Sequence, residues 1–163
     1  MELDEFCTEV RGRLVGALSL QVGNAHTAEE LANDALLRVV ERWPEIRSMT
    51  NPQGWVFTVA FNLSRSRFRR LAAERRAHAR LDRHVSPANP IDEAASIAVR
   101  DALATLPRRQ RQAIVCRYYL DLSIDESARV VGCAPNTVKV HLRSALASLR
   151  TLGLRPNEEE LDG

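Results

Sequence analysis

Residues 123–150 have the sequence signals of two helices joined by a tight turn. Their sequence is SIDESARVVGCAPNTVKVHLRSALASLR. Ser123 and Glu126 have the spacing of a capping box, in which each side chain accepts a hydrogen bond from the other residue's backbone N–H. Gly132 suits the left-handed conformation that closes a helix, and Pro135 suits the first turn of the next. This pattern leaves few alternatives and predicts a helix-turn-helix.

The second helix of the pair has two faces. Its inward stripe recurs at helical spacing and comprises Val138, Leu142, Ala145, Leu146 and Leu149. The side chains that point elsewhere are Asn136, Thr137, Lys139, Val140, Arg143 and Ser144. In a helix-turn-helix the first turns of this helix reach base edges, where lysine and arginine suit guanine and asparagine suits adenine.

The alternative is an ordinary amphipathic hairpin whose polar face is only solvated. Two features favour the DNA-reading interpretation. Arg108, Arg109 and Arg111 on the preceding helix are placed to contact phosphate. The first half of the chain also carries a second basic helix with aromatic residues.

Composition favours an all-α fold for the whole chain. Alanine, leucine, arginine and glutamate dominate its 163 residues, and an apolar content of 45% suffices for a core. The segment DRHVSPANP has two prolines and little periodicity, which indicates a linker. The sequence predicts two small helical domains, at 1–75 and 92–152, joined by a flexible linker at 76–91 and followed by an acidic flexible tail at 153–163.

Periodicity in the first half predicts a helix over residues 2–22 and a second one that ends at Trp43-Pro44. Thr27 and Glu30 have capping-box spacing and predict the start of this second helix. Its predicted buried stripe is Leu31, Ala35, Leu36, Val39 and Val40.

A third helix is predicted after a loop at 45–51, with Asn51 as its cap and Pro52 in its first turn. The run from Trp55 to Leu63 is apolar nearly all round, so this helix is expected to be central. Trp55, Val59 and Leu63 are its expected core residues.

The continuation of this helix is strongly basic, because residues 62–83 carry eight arginines against two acids. Phe57, Phe61 and Phe68 are spaced by four and seven, and Arg65 and Arg69 lie nearby. Aromatic side chains that stack on unpaired bases, with arginines on the backbone, are typical of single-strand binding. The alternative is that the aromatics are core and the arginines are solvated.

The second helix is acidic, in a region where residues 1–46 carry nine acids against four arginines. Its polar side is a candidate protein-docking face that comprises Glu30, Asn33, Asp34, Arg38 and Glu41. The alternative is again a solvated face.

Other classes of function find little support. Cys7, Cys116 and Cys133 are widely spaced, which argues against a disulfide framework or zinc finger and fits a reducing compartment. The four histidines are scattered, and no phosphate loop or nucleophile motif is present, so an enzyme, a cofactor and a metal are not expected. The acidic start MELDEF is unlike a signal peptide, and a membrane span is not expected, so we expect a cytoplasmic protein.

Three segments together resemble an extracytoplasmic-function sigma factor, the small bacterial type with two conserved domains. They are AEELANDALLRVVERW, NPQGWVFTVAFNLSRSRFRR and LPRRQRQAIVCRYYLDLSIDESARVVGCAPNTVKVHLRSALASLR. The resemblance covers about residues 1–75 and 92–150. The order and spacing of the three segments make it specific, whereas a helix-turn-helix alone is a weak signal.

The resemblance implies a mechanism. The first domain is expected to dock on the clamp helices of core RNA polymerase, melt the −10 promoter element and trap a flipped base of the melted strand. The second is expected to read the −35 element as duplex DNA and to touch the polymerase flap, with the linker directed toward the RNA exit path. An anti-sigma factor is a further expected partner.

Specific residues follow from this resemblance and from the patterns above. The expected −35 contacts are Arg111, Asn136, Thr137, Lys139, Val140, Arg143 and Ser144. The expected −10 contacts are Arg47, Ser48, Met49, Thr50, Asn51, Asn62, Arg65 and Arg69. The expected polymerase contacts are Glu30, Asn33, Asp34, Leu37, Arg38 and Glu41. Asn136, Val140 and Ser144 depart from residues usual in such factors, which implies an unusual −35 sequence.

A second hypothesis is a helix-turn-helix regulator that acts without polymerase docking. The first half argues against it, because that half is as long as the second and carries its own motif.

Overall fold

The structure is a computed structural model that describes residues 1–77 and 93–154, with side chains from residue 97 onward in the second range. The chain forms two compact units, unit 1 (Met1–Ala88) and unit 2 (Asn89–Gly163). All regular structure in the described ranges is helical, as predicted. Most of the predicted linker, 78–91, and of the predicted tail, 155–163, lies outside the described residues. In the described ranges, no helix combines the length and apolarity needed to cross a bilayer.

Unit 1 contains α1 (Leu3–Val22), α2 (Ala25–Glu41), the short α3 (Trp43–Ile46) and α4 (Pro52–Ala77). Gly23 closes α1 with φ of 73°, and its N–H donates to the Ser19 carbonyl over 2.9 Å. This left-handed conformation costs glycine little, so α2 can begin at once.

The start of α2 corrects one prediction. Asn24 is the cap, and its Oδ1 accepts a 3.1 Å hydrogen bond from the Thr27 N–H. Thr27, the predicted cap, therefore lies inside the helix. Both residue types favour this position, and the backbone turn at Gly23 selects the earlier one.

The segment between α2 and α4 is partly helical rather than a loop throughout. Pro44 lies in the first turn of α3, and the predicted loop is shortened to the residues that follow Ile46. The start of α4 confirms the prediction, because Asn51 Oδ1 accepts a 2.9 Å hydrogen bond from the Gly54 N–H.

Helices α1, α2 and α4 supply most of the core of unit 1, and α3 adds Ile46. Its largest fully buried side chains include Phe6, Leu14 and Leu18 of α1 and Phe57 and Phe61 of α4. The predicted core residues of α4, Trp55, Val59 and Leu63, are only half-buried. On α2, Leu31, Ala35 and Val39 are buried as predicted, Leu36 is half-buried, and Val40 is exposed. A helix that is apolar on most sides does not reveal which side packs inward.

Unit 2 contains α5 (Glu93–Thr105), α6 (Arg108–Ile114), α7 (Ile124–Val131) and α8 (Pro135–Thr151). A π-helical turn, Val115–Tyr119, continues α6, so the predicted helix over 108–119 is present with a widened end. The inward stripe of α8 is buried at every predicted position, namely Val138, Leu142, Ala145, Leu146 and Leu149.

The turn between α7 and α8 has the predicted geometry. The Ser123 N–H donates to Glu126 Oε2 over 2.8 Å, and the Glu126 N–H donates to Ser123 Oγ over 3.1 Å. Gly132 closes α7 with φ of 79°, and its N–H donates to the Ala128 carbonyl over 2.8 Å. Pro135 occupies the first turn of α8.

Arg111 ties α5 to α6. Its Nε donates to the Leu103 carbonyl over 2.8 Å, and its Nη2 donates to the Ala104 and Leu106 carbonyls over 3.1 Å each. Two of these acceptors lie in the last turn of α5 and the third directly follows it, where carbonyls lack i+4 partners within the helix. Burial lowers the pKa of the guanidinium from its usual value. Arg111 thus has a structural role that the sequence did not predict, and its contact with the −35 element stays a prediction.

Replacing Arg111 with alanine should destabilise unit 2 selectively. The change removes charged donors from three helix-end carbonyls, and hydrogen bonds to charged groups contribute about 1.5–3 kcal/mol each at most. We expect the loss in unfolding free energy to be on the order of 2 kcal/mol. Urea unfolding followed by far-UV circular dichroism measures it.

Tryptophan fluorescence provides an internal control in the same experiment, because Trp43 and Trp55 both lie in unit 1. The fluorescence transition should stay in place while the dichroism transition moves to lower urea. A second control, Arg129→Ala, removes an exposed arginine of α7. Equal stability of the Arg111 and Arg129 variants would contradict the assigned role.

Candidate nucleic-acid and protein interfaces

The outward face of α8 is the strongest candidate interface in unit 2. All the predicted outward side chains are exposed, namely Asn136, Thr137, Lys139, Val140, Arg143 and Ser144. The helix sequence contains lysine and arginine but no acidic residue. The second helix of the helix-turn-helix thus has an exposed cationic face whose side chains do not pack in the core.

The start of α8 adds a second feature of this face. Its cap is Ala134, which has no polar side chain with which to bind the first backbone N–H groups. Pro135 supplies no N–H of its own. The amides that follow are oriented along the helix axis and suit an anion such as phosphate.

Two of the three arginines of α6, Arg109 and Arg111, bind backbone carbonyls. Arg109 Nη1 donates to the Val131 carbonyl over 2.6 Å, which fixes α6 to the end of α7. The side chain is otherwise exposed, whereas Arg108 and Arg111 are half-buried. Of the three arginines predicted to contact phosphate, Arg109 is the most accessible.

The aromatic part of the single-strand prediction is wrong for two residues. Phe57 and Phe61 are fully buried in the core of unit 1 and cannot stack on a base. The Arg13 guanidinium lies 5.4 Å from the centroid of the Phe57 ring and covers it further. Phe68 is half-buried.

Trp55 is the accessible aromatic residue that sequence reasoning assigned to the core. It lines a groove of about 560 Å³ between α2 and α4, beside Asn62. The Arg42 guanidinium lies 5.8 Å from the Trp55 ring centroid, a cation–π distance. An aromatic face, an amide and a guanidinium therefore meet in one groove, a combination suited to an unpaired base.

The other predicted −10 residues divide into two groups. Arg47, Ser48, Met49 and Thr50 are exposed on the loop after α3, and Asn62 and Arg69 are exposed on α4. Asn51 is half-buried, and its side chain caps α4. Arg65 is half-buried, and its Nη2 donates to Asn62 Oδ1. Asn51 therefore has a structural role, and its contact with DNA stays a prediction.

The candidate docking face on α2 is exposed at five of its six predicted positions: Asn33, Asp34, Leu37, Arg38 and Glu41. Leu37 is 60% exposed, and Val40, which was predicted to be buried, is 51% exposed. These two apolar side chains are one turn apart, so they lie side by side among the charged residues. An apolar pair with a charged surround is typical of a protein interface.

Glu30 is the sixth predicted position, and it is half-buried and paired with other residues of unit 1. Its Oε2 accepts a 2.8 Å bond from Arg67 Nη1 of α4, and its Oε1 lies 3.0 Å from His26 Nε2. Its carboxylate links α2 to α4 within unit 1. Glu30 thus has a role within the fold, and its contact with polymerase stays a prediction.

The cysteines and the acidic residues do not gather into a candidate metal site in the described ranges. Within residues 1–77 and 93–154, no three potential metal ligands among histidine, cysteine, aspartate and glutamate converge. Cys7, Cys116 and Cys133 form no disulfide with one another. Burial, and after it the Asp4 carboxylate, raises the pKa of the Cys7 thiol, which disfavours the reactive thiolate.

The link between Glu30 and Arg67 can be tested by exchanging the charges. Glu30→Arg or Arg67→Glu alone places like charges together, so each should lower the unfolding free energy of unit 1 by up to about 1 kcal/mol. The double variant should recover most of this loss. Tryptophan fluorescence during urea unfolding measures the unfolding free energy of each variant. A double variant that is no more stable than the single variants would show that the Glu30–Arg67 ion pair does not stabilise unit 1.

Comparisons with known proteins match both units. The family model for Sigma-70 region 2 matches residues 7–74, and the one for Sigma-70, region 4 matches residues 96–149. The ECF RNA polymerase sigma factor EcfG of Rhodopseudomonas palustris is 28% identical over 156 residues, which cover 91% of this chain and 83% of that protein. The RNA polymerase sigma-E factor of Streptomyces coelicolor is 26% identical over 155 residues, covering 92% and 85%.

A solved structure has the same fold. In the co-crystal structure of the sigma factor RpoE with the anti-sigma factor NepR from Bartonella quintana, the matching chain superposes with a TM-score of 0.82. The sequence identity is 22%, and the match covers 91% of this chain and 94% of the other.

Proposed function

The chain belongs to the sigma-70 family of RNA polymerase sigma factors, in its extracytoplasmic-function branch, and we propose that its two units divide promoter recognition between them. As a member of this family it binds core RNA polymerase and directs it to specific promoters. Unit 2 reads the −35 element as duplex, and unit 1 docks on polymerase and opens the −10 element. The exposed cationic face of α8 is the observation that carries this proposal.

Reading by unit 2 follows from the separation of the two faces of α8. The inward stripe fixes the helix against the unit, so the outward residues are held by a rigid support. Lys139 and Arg143 are one turn apart and present cations to guanine edges or phosphates. Asn136 precedes them in the first turn, where side chains of such helices reach base edges.

Docking by unit 1 is supported by the composition of the α2 face. Leu37 and Val40 supply apolar contact, and Asp34 and Glu41 supply negative charge beside them. We place the clamp helices of polymerase on this surface. The apolar pair contributes affinity, while the charges fix orientation and raise the rate of encounter.

Opening of the −10 element requires a place for an unpaired base. The groove of Trp55 and Asn62 and the exposed loop of Arg47, Ser48 and Met49 are the candidates in unit 1. Stacking on an aromatic ring contributes about 1–3 kcal/mol per base and offsets part of the cost of unpairing. Arg69 lies exposed further along α4, where it suits the strand backbone.

The remaining expected properties rest on family membership. Sigma factors are regulatory subunits, and we propose that this chain likewise acts through polymerase without catalysing a reaction itself. Its site of action is then the cytoplasm, where bacterial polymerase lies. An anti-sigma factor as inhibitor, contact of unit 2 with the polymerase flap, and a linker directed toward the RNA exit path complete the proposal. A regulator that acts without polymerase is disfavoured by the match to region 2.

Lys139→Ala and Arg143→Ala should weaken transcription that depends on the −35 element. Loss of one base or phosphate contact costs about 1–3 kcal/mol, so we expect at least about a fivefold decrease for each variant. Transcription in vitro with core polymerase, from promoters mapped by their start sites, measures it.

Arg150→Ala is the matched control for these variants. Arg150 lies on the same helix, about 16 Å along its axis from Lys139 at 1.5 Å per residue, and should not reach the same bases. Circular dichroism checks that all three variants fold. Full activity of both the Lys139 and Arg143 variants would remove this face from DNA recognition.

Asp34→Arg and Leu37→Ala should each lower the affinity for core polymerase. The first reverses a charge, and the second removes an apolar side chain that is 60% exposed before binding. Truncation of an interface anchor costs more than about 1 kcal/mol, which corresponds to a loss in affinity of at least about fivefold. Fluorescence anisotropy of labelled protein with core polymerase gives the dissociation constants.

Glu74→Arg is the control, because it makes a similar charge reversal at an exposed position of unit 1 on α4, outside the α2 face. It should bind core polymerase like the natural protein. If Asp34→Arg and Leu37→Ala also bind normally, the docking surface lies elsewhere on unit 1.

A further inference from the structure

Val140 occupies the centre of the outward face of α8. It lies two residues from both Val138 and Leu142, which are fully buried. At 100° per residue, a separation of two residues points a side chain about 200° away from each of them. Val140 therefore projects almost straight out from the unit, and it is 56% exposed.

The neighbours of Val140 on this face are small or uncharged. Asn136 and Ser144 lie one turn before and after it, and Ala147 lies about two turns after it. The cations Lys139 and Arg143 lie to one side of this line, at about 100° and 60° from Val140. The side chain that points most directly into the groove is thus an isopropyl group.

An isopropyl group makes a favourable contact with only one kind of group on the base edges of the major groove. Most positions on base edges in the major groove are hydrogen-bond donors or acceptors, and valine pressed against them displaces water without replacing its hydrogen bonds. The exception is the C5-methyl group of thymine, which offers an apolar contact.

We propose that Val140 selects thymine at one position of the −35 element through contact with the C5-methyl group. This inference rests on the proposed function, in which α8 lies in the major groove. It assigns a base preference to a residue that departs from those usual in such factors. Thymine is read at the centre of the face, and the bases nearer Lys139 and Arg143 are read by charge.

The test removes a methyl group from DNA and nothing else. A −35 element is first obtained by selecting holoenzyme-bound promoters from a library with that region randomised. Each thymine on either strand is then replaced in turn by deoxyuridine, which lacks only the C5-methyl group. Binding of each promoter by holoenzyme is measured by competition against the unmodified promoter.

One deoxyuridine position is expected to lower the affinity of the natural holoenzyme about fourfold, the effect of losing one methyl-sized apolar contact. With Val140→Ser the same replacement should have no effect, because the apolar partner in the protein is gone. Val99→Ser makes the same change at an exposed position on α5 and should keep the fourfold dependence.

Two results would overturn the inference while leaving the proposed function intact. One is a selected −35 element with no methyl-sensitive thymine, and the other is methyl sensitivity that persists in Val140→Ser. A holoenzyme that selects no −35 sequence at all would overturn both the proposed function and the inference. Circular dichroism of the two serine variants verifies that each is folded.

Discussion

The turn at Gly132 determines what unit 2 can do. The N–H groups of Gly132 and Cys133 both donate to the Ala128 carbonyl, over 2.8 and 3.1 Å, and this pair of bonds ends α7 within one residue. Arg109 then binds the adjacent Val131 carbonyl from α6. Because α7 ends so abruptly, α8 can start at once and pack its apolar stripe on the unit. The direction of the outward face is a consequence of that packing.

In unit 1, helix α2 contributes to the core with one side and presents the candidate docking face with the other. The buried side of α2 packs in the core, and Glu30 binds Arg67 of α4. The exposed side carries Asp34, Leu37 and Val40, which we assign to polymerase. The same helix borders the groove of Trp55, through Arg38, Glu41 and Arg42. A partner bound on the exposed side therefore lies within two turns of the groove assigned to an unpaired base.

The sequence predicted the elements that depend on local chemistry. The capping box at Ser123, the glycine at 132 and the inward stripe of α8 are all present, because each is decided within one or two helical turns. The outward residues of α8 were predicted correctly because they are the residues that do not belong to that buried stripe. The start of α2 was misplaced because Asn24 and Thr27 are both good caps, and only the backbone at Gly23 distinguishes them.

The sequence did not reveal which side of a helix packs inward or which carbonyl an arginine binds. Arg111 was assigned to DNA because it is charged, and its hydrogen bonds to the carbonyls of Leu103 and Ala104 were not foreseen. Phe57 is buried and Trp55 is partly exposed, the reverse of what was predicted, because α4 is apolar on most sides near its start. Val40 continued the apolar pattern of α2 and yet faces outward. On α8, by contrast, the residues that pack and the residues that we assign to DNA reading are different sets. If these residues read DNA as we propose, substitutions at Asn136, Val140 or Ser144 should change promoter preference at little cost in folding. This helix would then be a part of the protein that evolution or design can vary to produce sigma factors that do not recognise one another's promoters.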